Sequence, residues 1–135
     1  MLIQLFYTSL SRSLRGHPSD FVILRDALEN NSRDGVTGYL LRDRARFYEV
    51  LEGTAPVVDA LFERISADPR HCDICMLMRR CVSQRAFAGW SMGYANLSPE
   101  DRAWFDGGAG RNRGAVVVQF DRLARQAGAR AALRR

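Results

Sequence analysis

Apolar positions dominate residues 1–8, with Leu2, Ile3, Leu5 and Phe6 leading to Tyr7. This pattern predicts an opening strand. A loop containing Gly16 and Pro18 follows from Ser11 to Ser19. Ser19 or Asp20 can cap a helix carrying Phe21, Leu24, Ala27 and Leu28 on one face, and Asn30-Asn31 falls where that helix should stop. Asp34-Gly35 is a turn signal. Val36 to Leu41 and Arg46 to Leu51 read as a hairpin joined by the charged Arg42-Asp43-Arg44-Ala45, with Gly53 ending the second strand. Thr54 before Ala55-Pro56 starts a second helix. Its buried stripe is Val57, Val58, Leu61, Phe62 and Ile65, and Asp68-Pro69-Arg70 breaks it. Residues 73–82 read as a fourth strand and Trp90 to Tyr94 as a fifth. The order β-α-β-β-α-β-β predicts an α+β fold, a ferredoxin-like sheet with two helices on one face.

After residue 94 the character changes, so residues 1–94 are read as one domain and 95–135 as a helical extension. Ser98-Pro99-Glu100-Asp101 is a helix start: a cap, a proline in the first turn, then acids at the positive end. Gly107-Gly108-Ala109-Gly110 ends that helix, and a Gly/Arg connector runs to Gly114. From Val116 to about Ala132 the 3.6 period favours a helix with Val116, Phe120, Leu123 and Ala127 on one face. The run Val116-Val117-Val118 leaves a strand open at its start. Such an extension would cover the sheet's second face, which otherwise stands as an exposed apolar patch.

Composition narrows the class. Among 135 residues, 47% are hydrophobic and 26% charged, which excludes a disordered or fibrous chain. No window approaches 18 apolar residues, and the N-terminus reads as a strand rather than a signal peptide. All 20 basic residues are arginine. Residues 1–110 hold 13 Arg against 14 Asp and Glu, whereas residues 111–135 hold 7 Arg against Asp121 alone. The net charge of +5 therefore comes from the tail. A solvated helix face explains it more simply than nucleic acid, which would show steeply salt-dependent binding. Cys72, Cys75 and Cys81 are expected to be reduced, in a cytoplasmic setting. His71, Cys72 and Cys75 have metal-like spacing. In a strand, however, residues three apart face opposite sides and a fourth ligand is missing, so no metal is expected.

No catalytic set emerges. There is no Gly-rich phosphate loop, the histidines His17 and His71 have no triad partners, and Glu49 and Glu52 on one strand should face opposite sides. An acyl-phosphate hydrolase on this plan would need a phosphate cradle that is absent. Spacing alone leaves a small α+β domain of undefined role, in which Tyr7, Asn30-Asn31, Trp90 and Met92 could equally be core or helix-end residues.

Several motifs in order do more. Tyr7 precedes a Ser-containing loop, and Asn31 precedes Val36-Thr37-Gly38 by five residues. Phe47 precedes Leu51-Glu52-Gly53. Asp68-Pro69-Arg70-His71 follows the second helix, and Phe87-Ala88-Gly89-Trp90-Ser91-Met92 comes last. Residues 1–93 thus resemble a BLUF domain, the flavin-binding blue-light sensor of bacteria and some algae. The resemblance implies non-covalent FAD between the two helices and the sheet. It implies Tyr7 as electron donor to the excited flavin, Asn31 with Asn30 beside it at the ring's polar edge, and Asp68, Arg70 and His71 on flavin polar atoms. It further implies Ile23 and Phe47 as apolar lining and Trp90 and Met92 as reporters of the signal. One position departs: the family places glutamine where this chain has Glu49. An amide donates and accepts at once; a carboxylate only accepts, and a protonated carboxyl donates once. Either a neutral Glu49, its pKa raised by burial, supports an altered photocycle, or flavin binds weakly and the domain is a light-insensitive interaction module. Residues 95–135 are too few for an output enzyme. The resemblance therefore implies a short sensor acting on an unknown downstream protein, with self-association expected, no enzymatic activity of its own and no membrane contact.

Overall fold

The computed structural model describes residues 1–11, 26, 29–44, 46–89, 93–106 and 113–133, with backbone alone for Ser11, His71, Arg113 and 127–133. Strand β1 (Leu2–Ser11) is followed by the described helical turns α1 (29–34), then the hairpin β2 (Thr37–Asp43) and β3 (Arg46–Thr54). Helix α2 (Ala55–Ala67), β4 (His71–Cys81) and β5 (Gly93–Asn96) come next, then α3 (Pro99–Asp106) and α4 (Arg113–Leu133). The sheet order is β4-β1-β3-β2-β5, antiparallel except for the parallel pair β2–β5. This is the expected ferredoxin-like plan with one added edge strand.

Strand alternation sends β1 side chains to two cores. Ile3, Leu5 and Tyr7 join Leu40, Phe47 and Leu51 against Val58 and Leu61 of α2. Phe6 joins Tyr39, Tyr48 and Val50 on the other face, against Phe105 of α3 and Val116, Val117, Phe120 and Ala124 of α4. Phe6 and Phe120 meet edge-on at 5.5 Å, and Tyr48 and Phe105 lie 4.7 Å apart. The extension therefore covers the second face of the sheet, and its valine run is helical.

The elements' ends differ from the sequence reading for identifiable reasons. Asn30-Asn31 does not end α1. The helix runs to Asp34 and stops at Gly35, whose φ is +71°. The Val36 N–H bonds the Asn31 carbonyl at 2.9 Å, closing a Schellman-type end that needs glycine. Arg42-Asp43 is not a connector; both residues are buried in β2. The Arg42 guanidinium lies 4.1 Å over the Phe47 ring, Asp43 accepts from Arg102, and the turn is tightened by Arg44 at φ +42°. Thr54 stands at the α2 cap position, but its side chain makes no capping bond. The Ala55 N–H instead donates to the Met1 carbonyl at 3.0 Å. Ser98 does cap α3, accepting from the Asp101 N–H at 3.1 Å.

In β4, Asp73 adopts φ +49° at a bulge. Cys72 and Cys75 are consequently opposite Leu10 and Thr8, which share one face of β1, so the alternation argument against a metal pair fails. Among the described residues, no three metal-ligating side chains come together. The described part of the fifth strand is Gly93–Asn96; the start read at Trp90 lies outside the described residues. The expected helix face at Phe21, Leu24, Ala27 and Leu28, and the connector residues 107–112, lie outside the described residues.

Gly38 of the Val36-Thr37-Gly38 motif has a packing role. A Cβ there would sit 2.1 Å from the Val50 carbonyl oxygen, a backbone atom in the adjacent strand. Gly38→Ala is expected to cost about 1–3 kcal/mol in urea unfolding. An unchanged midpoint would show that the hairpin gives way freely.

The second-face core contains a carboxylate knot. Glu52 is fully buried. Its Oε2 accepts from Gln4 Nε2 and the Ala86 N–H, each at 2.7 Å. Its Oε1 accepts from Thr37 Oγ1 at 3.0 Å and the Phe87 N–H at 2.9 Å. One side chain thus ties β1, β2 and β3 to the connection entering β5.

Candidate functional site

The register that pairs β1 with β3 sets Tyr7 opposite Glu49, and β2 sets Leu40 opposite the same residue. All three point toward the α2 side, where a cavity of about 140 Å³, partly open to solvent, lies between the sheet, α1 and α2. Leu40, Phe47, Leu51, Leu61 and Ile65 give it an apolar lining. Asn30, Asn31, Asp68 and Arg70 add polar groups, as do Asp26 and Arg64.

Seven residues singled out by the sequence therefore meet at one place: Tyr7, Asn30, Asn31, Phe47, Glu49, Asp68 and Arg70. Ile23, Trp90 and Met92 lie outside the described residues, and so does the His71 side chain. Asp26, Arg64 and the leucines were not anticipated as lining. Leu61 and Ile65 were legible only as the buried stripe of α2, since nothing in a helical period says what a stripe faces. Glu49 and Glu52 do face opposite sides of the sheet, as alternation requires.

The centre of the cavity is one hydrogen bond. Tyr7 Oη donates to Glu49 Oε1 at 2.9 Å, with both residues buried. Burial pushes the Tyr7 hydroxyl well above its ordinary value, and the neighbouring Glu49 charge pushes the same way, so Tyr7 holds its proton. Burial also raises Glu49, from 4.5 to about 7, against the lowering effect of the Tyr7 bond. The Tyr7 ring packs 5.4 Å from Phe62, which keeps the phenol on the α2 side.

At the end of α2, Asp68 binds Arg70 through Nε at 3.0 Å and Nη2 at 2.6 Å, while Arg70 Nη1 reaches Asp26 at 3.1 Å. The fork is locked between two elements, and further N–H groups remain on its nitrogens. Asn31 is buried and fixed by the Gly35 helix end. Asn30 accepts from Arg33 at 3.3 Å. An apolar slot with amide and guanidinium donors, closed by a phenol–carboxyl pair, fits a flat heteroaromatic ring with a polar edge.

The family described as BLUF, sensors of blue light using FAD, matches residues 2–93. A photoactivated adenylate cyclase subunit alpha-like protein FB of Euglena gracilis is 42% identical over 62 residues, covering 46% of this chain and 6% of that protein. Among solved structures, that of BlrB, a BLUF protein in its dark state, superposes with a TM-score of 0.70 at 32% identity over 87% of this chain and 95% of the other. A bacterial light-regulated adenylyl cyclase superposes at 0.68 with 33% identity, over 72% of this chain and 29% of the other. The chain thus spans a small part of these cyclases and nearly all of the BlrB structure.

Proposed function

The chain belongs to the BLUF family, sensors of blue light using FAD, and on that premise we propose that it binds FAD in the cavity under α2 and signals by contact with a partner protein. The observation that carries this reading is the convergence of Tyr7, Asn31, Glu49 and Arg70 on one cavity with an apolar lining. The residues fit the cofactor on their chemistry: Phe47, Leu51 and Leu61 suit its ring faces, and the Asn30 and Asn31 amides and the Arg70 fork suit its carbonyl edge. When bound, FAD supplies blue-light absorption and an electron acceptor.

The protein's part is to exclude water and to place protons. Tyr7 holds a proton on Oη, aimed at Glu49 Oε1. An ionised Glu49 can take that proton but has none to donate into the cavity. A neutral Glu49 keeps one O–H to donate there. The family resemblance places an amide at this position, which donates at every pH. Protonation of Glu49 therefore decides whether the hydrogen-bonding pattern of the amide is approximated, and the light response should be altered accordingly.

Output is assigned to the extension. α4 shares the second-face core with β1, β2 and β3, while its outer side leaves Val118, Arg122 and Arg125 exposed. This side offers a contact surface for a partner or a second copy of the chain. No helix among the described residues is long and apolar enough to cross a membrane.

An absorption spectrum in the dark and after blue light tests the proposal. Bound flavin whose spectrum shifts to the red and relaxes is expected near pH 6, with Tyr7→Phe retaining flavin but losing the shift. Protein that is colourless and takes up no added FAD would overturn the flavin reading and leave a light-insensitive interaction module.

A further inference from the structure

A second recess opens on the opposite side of the sheet, where β4 leads into residues 82–87. It is a shallow recess of about 550 Å³, largely open to solvent, lined by Arg80, Arg85 and Arg125 with Gln4, Ser83 and Gln84. It shares no lining residue with the cavity under α2. We infer that this recess is an oxyanion site that takes a phosphoryl group, either as free phosphate or diphosphate or as part of a small organic phosphate.

The three guanidiniums come from three separate elements, and each is held from behind. Arg80 Nε donates to Gln4 Oε1 at 3.0 Å, and its guanidinium lies 5.5 Å over the Phe6 ring. Gln4 is itself almost fully buried and anchored by Glu52. Arg85 Nη1 donates to Thr37 Oγ1 at 3.0 Å and to the Glu52 carbonyl at 3.2 Å. Arg125 Nε donates to Asp121 at 3.0 Å, with its guanidinium 5.9 Å over the Phe87 ring. The buried Glu52 knot thus fixes two of the three cations. Arg80 and Arg125 keep both Nη groups, and Arg85 keeps Nε and Nη2, without a protein partner among the described residues.

Among the described residues, no carboxylate lines the recess. Glu52 is spent on four donors facing the core, and Asp121 offsets one of the three positive charges. Ser83 and Gln84 add hydroxyl and amide donors. A carboxylate presents two oxygens in one plane, whereas a phosphoryl group presents oxygens in several directions and can meet forks arriving from β4, from the 82–87 segment and from α4. An occupant would bridge the connection entering β5 to α4.

The test is a titration of the full chain as purified, ¹⁵N-labelled and held at constant ionic strength, with inorganic phosphate, with pyrophosphate and with ADP, following the arginine Nε–H and Ser83–Ala86 amide signals. Saturable shifts in these signals are expected, and binding should weaken at least about tenfold in Arg80→Gln and in Arg125→Gln, since each removes a charge-assisted contact. Both side chains are solvent-exposed, and thermal melts of the variants confirm that they fold. Tightest binding of pyrophosphate identifies a free polyphosphate, and tightest binding of ADP identifies a nucleotide. No saturation with any of the three probes, or saturation unchanged in both variants, overturns the assignment.

Discussion

Glu52→Ala is expected to remove about 3–5 kcal/mol of stability, because it leaves several buried donors without an acceptor at about 1–3 kcal/mol each. The substitution strands four donors at once: Gln4 Nε2, Thr37 Oγ1 and the N–H groups of Ala86 and Phe87. In a domain of this size the loss corresponds to a melting point lower by about 10–20 °C. Glu52→Gln separates charge from geometry. Its amide nitrogen must face either Gln4 and Ala86 or Thr37 and Phe87. Thr37 can rotate its hydroxyl. Gln4 can turn its amide only by giving up the Arg80 bond to its Oε1. The backbone N–H groups cannot turn, so one of them faces a donor in either orientation, at a cost of about 1–3 kcal/mol. Urea unfolding measures both variants, and hydrogen exchange should quicken at Ala86 and Phe87 before the rest of the sheet opens. A loss below about 1 kcal/mol for Glu52→Ala would show that the knot is not what holds the connection into β5.

That knot was hidden in the sequence, although its residue was in plain view. Glu52 appeared as part of Leu51-Glu52-Gly53, the close of a strand. Its four donors come from positions as distant as Gln4 and Phe87, and only the sheet register brings them together. Local rules read other features well. The stripe of α2 and the period of α4 describe faces that a single helix must bury: the α2 stripe packs on one core, and Val116, Phe120 and Leu123 of α4 pack on the other, while the Ala127 side chain lies outside the described residues. The Tyr7–Glu49 pair was half legible: each residue was singled out, but their contact depends on a register set by the hairpin. Arg42 shows where local chemistry misleads. A charged four-residue run between two apolar strands reads as a connector, yet the guanidinium is covered by the Phe47 ring and buried in the strand. The Asn30-Asn31 helix end failed for a related reason, since Gly35 offers a left-handed terminus without strain and Asn31 is carried inward to the cavity.

Glu49 should make both stability and light response depend on pH, in a direction the structure fixes. Its folded value is raised from 4.5 to about 7 because the carboxyl is buried against Tyr7. The folded state therefore binds this proton more tightly than the unfolded state. The stabilisation is fully present below pH 4.5, falls as pH rises, and is gone above about 7. Each pH unit in that window is worth about 1.4 kcal/mol, so the whole change is about 3 kcal/mol. Comparison with Glu49→Gln isolates this carboxyl from the charged groups around it on the cavity, Asp26, Arg64, Asp68 and Arg70. The difference in urea midpoint between the two proteins should grow in favour of the variant from pH 5 to pH 8. The light response should follow the same titration. With FAD bound, the red shift is expected near pH 6, where Glu49 retains an O–H to donate, and should fade by about pH 8.5, where only acceptors remain. In Glu49→Gln the donor does not titrate, so the shift should persist across the range. A red shift that persists equally at both pH values in the unaltered chain would show that the proton on Glu49 does not govern the switch.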